Sequence, residues 1–417
     1  MPELRTLRIT FYLDADPDHR SWASDPQVEP LSVAAVPRLT RLTAPAVLLS
    51  GLSVPSLQHI TLENLYGRYS PEGRLESYRG FYAALAVCAL RLQTLVLLDV
   101  GPRVYDVPAV PSTSLPALRH FRMADTTRRC GLVLSHLEFP DTTHIACANV
   151  DSGRLCETLP TNSASIDAHL AATDRVAIRG TADATSIHCF ARADSDSHEL
   201  ICVGLAGARR GLRPDDLIQL FRDGARVTHL AIAGLDGRDA FGVTLRAFPY
   251  LVRLDVSGEM AGYILETLAR KDHEASDGDT DGHYGDGRRA NIVCAGLETL
   301  TVDFHFASGM AKRDVGTALR SGNMSVVEAD LRRRCADLVK VLSRRSEMGS
   351  ANITRLELGC TEQGCPVGSN DRKCPPTLQV GLSGSSWAPW RSIVKPLKKL
   401  VDGPVVFTGY HFFLASG

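Results

Sequence analysis

The sequence predicts an α/β fold in which short parallel strands, each followed by a helical or looped return, stack along one axis. Three observations predict it. A box of the form L-x-x-L-x-L recurs from one end of the chain to beyond residue 350, several boxes lie 24 residues apart, and the intervening segments read as helices or loops. The composition is compatible: 44% hydrophobic and 22% charged residues are ordinary globular usage. A chain of 417 residues would otherwise suggest two or three domains, but in a repeat array each unit touches only its neighbours.

The clear boxes begin with Leu4-Arg-Thr-Leu7-Arg-Ile9, Leu57-Gln-His-Ile60-Thr-Leu62, Leu92-Gln-Thr-Leu95-Val-Leu97 and Leu118-Arg-His-Phe121-Arg-Met123. They continue with Val227-Thr-His-Leu230-Ala-Ile232, Leu251-Val-Arg-Leu254-Asp-Val256, Leu297-Glu-Thr-Leu300-Thr-Val302 and Ile353-Thr-Arg-Leu356-Glu-Leu358. Weaker copies lie at 39–44, 142–147, 173–178 and 197–202. In each box the last two apolar residues alternate with polar ones, the pattern of a short strand with one buried face. A step in the twenties is the period of a leucine-rich repeat, and the longer steps are that unit with insertions. The expected fold is therefore an irregular leucine-rich-repeat solenoid, a horseshoe with a parallel concave sheet and helices or loops on its convex side.

The solenoid is expected over residues 1–359. Helical returns are expected at 79–92, at 214–222, where Pro214 precedes Asp215 and Asp216, and at 325–347. In the last, Val327, Leu331, Cys335, Leu338 and Leu342 form an apolar stripe, and Arg332, Arg333, Lys340, Arg344 and Arg345 cover the remainder. The basic run Arg332-Arg333-Arg334 reads as a solvated helix face rather than a nucleic-acid patch. Residues 271–289, rich in Asp and Gly without aliphatics, read as a disordered insertion rather than a calcium loop, because Arg288 stands where the closing glutamate would be. Residues 360–386 form a Cys/Gly/Pro-rich loop, and 387–417 a C-terminal cap. In that cap Trp387, Trp390, Ile393, Val394, Leu397 and Leu400 are spaced as a helix, and Val405, Val406 and Phe407 form a last strand. A basic aromatic helix for a membrane surface or a partner groove is the competing reading of that segment.

With 46 basic against 47 acidic residues, the net charge of -1 argues against a surface built for nucleic acid or anionic lipid. Eleven cysteines are too sparse for a disulfide scaffold, and Cys88, Cys202 and Cys294 sit in apolar runs as small core residues. No secretory leader and no apolar run of about 20 residues is visible. The economical expectation is a reduced intracellular chain, cytoplasmic or nuclear, without membrane or nucleic-acid partners and monomeric.

The boxes with proline just before the first leucine (Pro37-Arg-Leu39, Pro55-Ser-Leu57, Pro116-Ala-Leu118 and Pro249-Tyr-Leu251) resemble those of fungal F-box/leucine-rich-repeat proteins. The resemblance spans about residues 1–359. It implies repeats that hold a substrate for a ubiquitin ligase whose scaffold docks an N-terminal F-box. Here Pro2-Glu-Leu4-Arg-Thr-Leu7 is already a box, with no helical F-box ahead of it. The ligase scaffold is thus a partner only if an F-box exists upstream, and the ubiquitin role is implied by the resemblance alone.

No nucleophile elbow, Walker loop, H-E-x-x-H or dinucleotide fingerprint is present, so no enzyme, catalytic residue or cofactor is expected. Cys360, Cys365 and Cys374 lack the C-x2-C pair of zinc sites and read as loop thiols, with no metal. His59, His120, His144 and His229 share the third position of their boxes, which points out of the sheet. His120 and His144, one step apart, belong to adjacent strands, placed to share a metal or titrate together, but histidine is read there as a tolerated polar residue. The expected binding surface is the concave ladder of His59, Glu63, His120, Arg122 and His144, continued by Arg179, His229, Arg253 and Asp255. Asp303, Arg355 and Glu357 complete it. Its mixed charge suits a protein partner recognised by polar complementarity. A divergent enzyme hidden in the insertions, or a repeat protein with no specific partner, are the alternatives.

Overall fold

The computed structural model describes residues 3–9, 36–46, 53–64, 78–100, 112–151, 153–180, 184–191, 198–206, 214–221, 226–234, 245, 247–258, 261–269, 294–303, 325–360 and 395–409. The architecture is α/β, and the chain divides into two units. One comprises Met1–Thr173 with Asp183–Asp216, the other Asp174–Ala182 with Leu217–Gly417.

In the first unit the strands are β1 (Thr6–Arg8), β2 (Arg41–Pro45), β3 (His59–Glu63), β4 (Thr94–Leu98), β6 (His120–Asp125), β8 (His144–Asn149), β10 (Ala184–Ala191) and β11 (Glu199–Ala206). They lie side by side in the order β1-β2-β3-β4-β6-β8-β11-β10. All neighbours are parallel except β10 and β11. The short β5 (Thr113–Ser114) and β7 (Leu137–Glu138) pair separately on the return path. The returns include α1 (Tyr78–Cys88), α2 (Thr127–Ser135), α3 (Leu155–Thr158) and α4 (Ala164–Ala172). In the second unit β9 (Thr173–Gly180), β12 (His229–Ala233), β13 (Arg253–Ser257), β14 (Thr299–Asp303), β15 (Arg355–Cys360) and β16 (Val405–Gly409) run parallel in that order. The described helices further along the chain include α5 (Pro214–Phe221), α6 (Ala261–Leu268) and α7 (Ser325–Glu347).

The proline-led boxes fold the same way, for a local reason. A tight turn closes just before the first leucine, its N–H donating back to the carbonyl three residues earlier. The pairs are Leu39 to Val36, Leu57 to Val54, Leu118 to Leu115 and Leu251 to Phe248. Pro37, Pro55, Pro116 and Pro249 therefore occupy the second turn position, where a fixed φ near −65° is already the one required. The chain then enters a strand whose first two N–H groups converge on one carbonyl of the preceding strand. Gln58 and His59 donate to Thr40, Gln93 and Thr94 to Gln58, Val252 and Arg253 to Thr228, and Glu298 and Thr299 to Val252. Such recurrent main-chain bonding carries no side-chain specificity, so the copies tolerate divergent sequences.

Register stacks the anchors. Ile60, Leu95, Phe121 and Ile145 align across the first unit and are fully buried. In the second, Val176, Leu230, Leu254, Leu300 and Leu356 do the same. Each large apolar side chain removed from water contributes about 1.5–3 kcal/mol, so both rows hold neighbouring strands together. Three of the weaker boxes are as regular, with Leu42, Ile145 and Val176 in the buried fourth position, whereas the box at 197–202 is out of register by one residue, Ile201 rather than Leu200 aligning with Ile145. The helix expected at 325–347 runs over Ser325–Glu347, the last strand expected at 405–407 runs over Val405–Gly409, and Leu397 is buried. The helices expected at 79–92 and 214–222 run over Tyr78–Cys88 and Pro214–Phe221. Residues 271–289, Cys365, Cys374, Trp387, Trp390, Ile393, Val394, Tyr410, Phe412 and Phe413 lie outside the described residues.

Three expectations need correction. The sheet is not wholly parallel, because β10 enters antiparallel to β11, and β11 rather than the box at 173–178 lies beside β8. Cys202 is not a core residue: it lies half-exposed on the polar side of β11 between buried Ile201 and Val203. Arg345 does not face solvent. It is buried in line with Cys335, Leu338 and Leu342 and donates from Nη2 to the Cys294 carbonyl at 2.9 Å.

Strands β12 and β13 each end on a left-handed glycine, Gly234 at φ +64° and Gly258 at φ +99°. A Cβ on Gly234 would stand 2.2 Å from the Gly180 carbonyl oxygen, whereas one on Gly258 meets nothing nearer than 3.6 Å. Gly234→Ala is therefore expected to cost more than the 1–3 kcal/mol of backbone strain alone, roughly 3 kcal/mol or above, and Gly258→Ala only that strain. Urea denaturation of the two variants checks the ranking.

Candidate functional site

Strand alternation sends one set of side chains into the core and the other to the opposite side, and parallel register arranges the second set in ranks. In the first unit one rank runs Arg41, His59, Thr94, His120, His144. The next runs Thr43, Thr61, Val96, Arg122, Ala146, Cys202 and His188. The third holds Glu63 beside Leu98 and Ala124. All five candidates of this unit thus share a face. His120 and Arg122 are exposed, and His59, Glu63 and His144 half-exposed. The His120 and His144 rings meet edge-on with centroids 6.2 Å apart, as adjacency of their strands requires. Partial burial, and then the charges of Arg41 and His120, push the His59 imidazole below its usual pKa.

Beside His144 lies a cluster that the repeat pattern does not reveal. Glu199 and Cys202 are three residues apart, so a regular strand would turn them to opposite faces. A register shift opposite Cys189 and Phe190 leaves Leu200 and Ile201 both buried and brings Glu199 round to the polar face. There the two carboxylate oxygens are divided. One accepts from His188 Nδ1 at 2.6 Å, and the other faces His144 Nε2 at 3.2 Å. His188 Nε2 meets Ser186 Oγ at 3.0 Å, and the His188 ring stacks on Phe190. Hydrogen bonding to Cys202 and then to Glu199 raises the His188 imidazole to about 9, and the bonds from His144 and His188 lower Glu199 to about 2. The ligating atoms of His188, Glu199 and Cys202 lie within 4.8 Å of one another.

In the second unit the ranks are Arg175, His229, Arg253, Thr299, Arg355, then Ala177, Ala231, Asp255, Thr301, Glu357, then Arg179, Ala233, Ser257, Asp303. Arg355 is exposed, and Arg179, His229, Arg253, Asp255 and Glu357 are half-exposed. Asp303, only 8% exposed, offers little surface. The acids are bound by neighbours: Asp255 accepts from His229 Nε2 at 2.7 Å and Arg253 Nε at 3.0 Å, and Glu357 from Arg355 Nε at 2.6 Å. Arg175, at the head of the first rank, was not foreseen, although it occupies the same third box position as the histidines.

Burial alone would raise the Asp255 carboxyl, but the hydrogen bond and charge of His229, together with hydrogen bonds from Thr301 and Arg253, outweigh it, and the pKa falls to about 2. A folded-state pKa below the ordinary value means that ionised Asp255 adds stability above pH about 4, and that this stability is lost as pH falls towards about 2. The stability gap between wild type and Asp255→Asn is accordingly expected to be constant near neutrality and to close across that window. Urea midpoints measured from pH 6 to pH 2 check it.

Among the described residues no helix is long and apolar enough to cross a membrane. Among the described residues eight cysteines are free, six of them buried, and burial pushes the Cys88 thiol up to about 11 and those of Cys294 and Cys335 to about 12. Comparison of the chain with protein-family models, curated proteins and solved structures gave no match.

Proposed function

We propose that the chain is a leucine-rich-repeat solenoid that acts by binding rather than by catalysis, and holds a protein partner on the polar, concave side of its sheet. The observation that carries this reading is the ranked register. It brings His59, His120, Arg122 and His144 onto one face of the first unit, and His229, Arg253, Arg355 and Glu357 onto one face of the second. Small residues between them, among them Ala124, Ala146 and Ala231, let the long side chains project. Opposite charges interleaved at such spacing favour recognition of another protein's polar surface, with specificity set by charge complementarity. The proline-preceded boxes extend the reading to the substrate-recognition part of a ubiquitin-ligase adaptor, and that extension rests on the resemblance alone.

Affinity capture with the immobilised chain, compared with a His120→Glu/Arg122→Glu double variant, tests it. Both side chains are exposed, so the variant is expected to melt with the wild type while losing the captured protein. Co-purification of ligase scaffold subunits supports the adaptor extension. A partner retained undiminished by the double variant contradicts binding through this face.

A further inference from the structure

We propose that His188, Glu199 and Cys202, with His144 in the fourth position, form a binding site for a divalent first-row metal ion of the zinc class. The cluster combines two imidazoles, one carboxylate and one thiol, the donor set that zinc accepts. Tetrahedral donors about 2.0–2.3 Å from an ion stand roughly 3.5 Å from one another. Here Glu199 lies 2.6 Å from His188 Nδ1 and 3.2 Å from His144 Nε2, and the atoms of His188, Glu199 and Cys202 all fall within 4.8 Å. Small side-chain rotations of these three therefore suffice to seat an ion, and His144, whose Nε2 meets the other Glu199 oxygen and stands outside that group of three, swings further in to complete the shell.

Two further features mark the cluster as more than a carboxylate bridging two histidines. The bulge in β11 keeps Glu199 on the same face as Cys202, which the regular strand period would forbid. Ser186 Oγ engages His188 Nε2 at 3.0 Å, which orients the ring and leaves Nδ1 facing the cluster, the outer partner that metal-bound histidines ordinarily have. The donors come from three strands. His144 belongs to β8, His188 to β10, and Glu199 and Cys202 to β11. An ion there would pin the antiparallel hairpin to the parallel ladder. On binding, the Cys202 S–H proton and the proton shared by His188 Nδ1 and Glu199 leave to solvent, and the sulfur, carboxylate and imidazole-nitrogen electron pairs go to the metal.

Cobalt(II) titration of the purified full chain, first stripped with chelator, tests the site through a readout independent of partner binding. The expected result is saturation at one equivalent, with a thiolate-to-cobalt charge-transfer absorption in the near ultraviolet that equimolar zinc abolishes. Cys202→Ser should remove that absorption. Glu199→Gln should weaken cobalt binding by about tenfold or more, and His144→Ala should weaken it while keeping the absorption. Cys156→Ser, at a half-exposed thiol outside the cluster, should change nothing. Unaltered far-ultraviolet circular dichroism of Glu199→Gln secures the conclusion if Cys202→Ser fails to fold. Absence of the charge-transfer band, or its survival in Cys202→Ser, overturns the proposal.

Discussion

Leu254→Asp is expected to unfold the second unit. Leu254 is fully buried, with Leu230 on one neighbouring strand and Leu300 on the other in direct register. The substitution removes a large apolar side chain from the middle of the row and leaves a carboxylate with neither water nor a cation. Truncation alone costs about 2–5 kcal/mol, and the desolvated polar group adds to it, so the total approaches the whole stability of an ordinary domain. Arg253→Ala, one residue away on the polar face, removes only the half-exposed ion pair with Asp255 and should cost at most about 1 kcal/mol. Thermal melts of the two variants give the contrast, and equal destabilisation would refute the strand register.

Asp216→Ala is expected to destabilise the first unit far more than its exposed neighbour Asp215→Ala. Asp215 and Asp216 both open α5, yet only Asp215 faces solvent. Asp216 is fully buried and serves a different helix. One carboxylate oxygen accepts from Arg154 Nε at 2.9 Å and also from Arg154 Nη2, while the other accepts the Leu155 N–H at 3.1 Å. That bond satisfies a donor at the N-terminus of α3, where an anion is also favoured by the helix dipole. Removal leaves the buried Leu155 N–H without its acceptor, a cost of about 1–3 kcal/mol, and frees Arg154. The melting temperature should fall by roughly 5–10 °C, with Asp215→Ala as the near-neutral comparison. An unchanged melting temperature for Asp216→Ala would show that the bonds hold nothing.

The strands were legible in the sequence because their signal is local. A pair of aliphatic residues separated by one polar residue, entered through a proline turn, encodes both the strand and its inward face. Residues such as Ile60 and Leu254 therefore need no distant information to be read as core. The histidine positions followed from the same alternation. Strand β10 escaped notice because Thr185, Ile187 and Cys189 fill its buried positions without leucine, and its antiparallel partner is set by tertiary pairing. The metal-type cluster escaped for a sharper reason: Glu199 and Cys202 share a face only because of a bulge. The consecutive apolar pair Leu200-Ile201, which breaks the alternation of β11, was the available signal. Arg345 was legible too, since it continues the helical stripe of Cys335, Leu338 and Leu342 at the next three-residue step.

Histidine footprinting tests the central claim of partner binding most directly. Diethylpyrocarbonate modifies accessible imidazoles, and the chain carries them both on the polar face and away from it. His59 and His120 lie on the ranked face, whereas His136 follows α2 on the return path, half-exposed and bonded to the Leu132 carbonyl. Modification of the free chain and of the captured complex, read by mass spectrometry, is expected to show His59 and His120 protected in the complex and His136 equally reactive in both. Protection of His136 with His59 and His120 unchanged would place the partner on the return side and contradict the account.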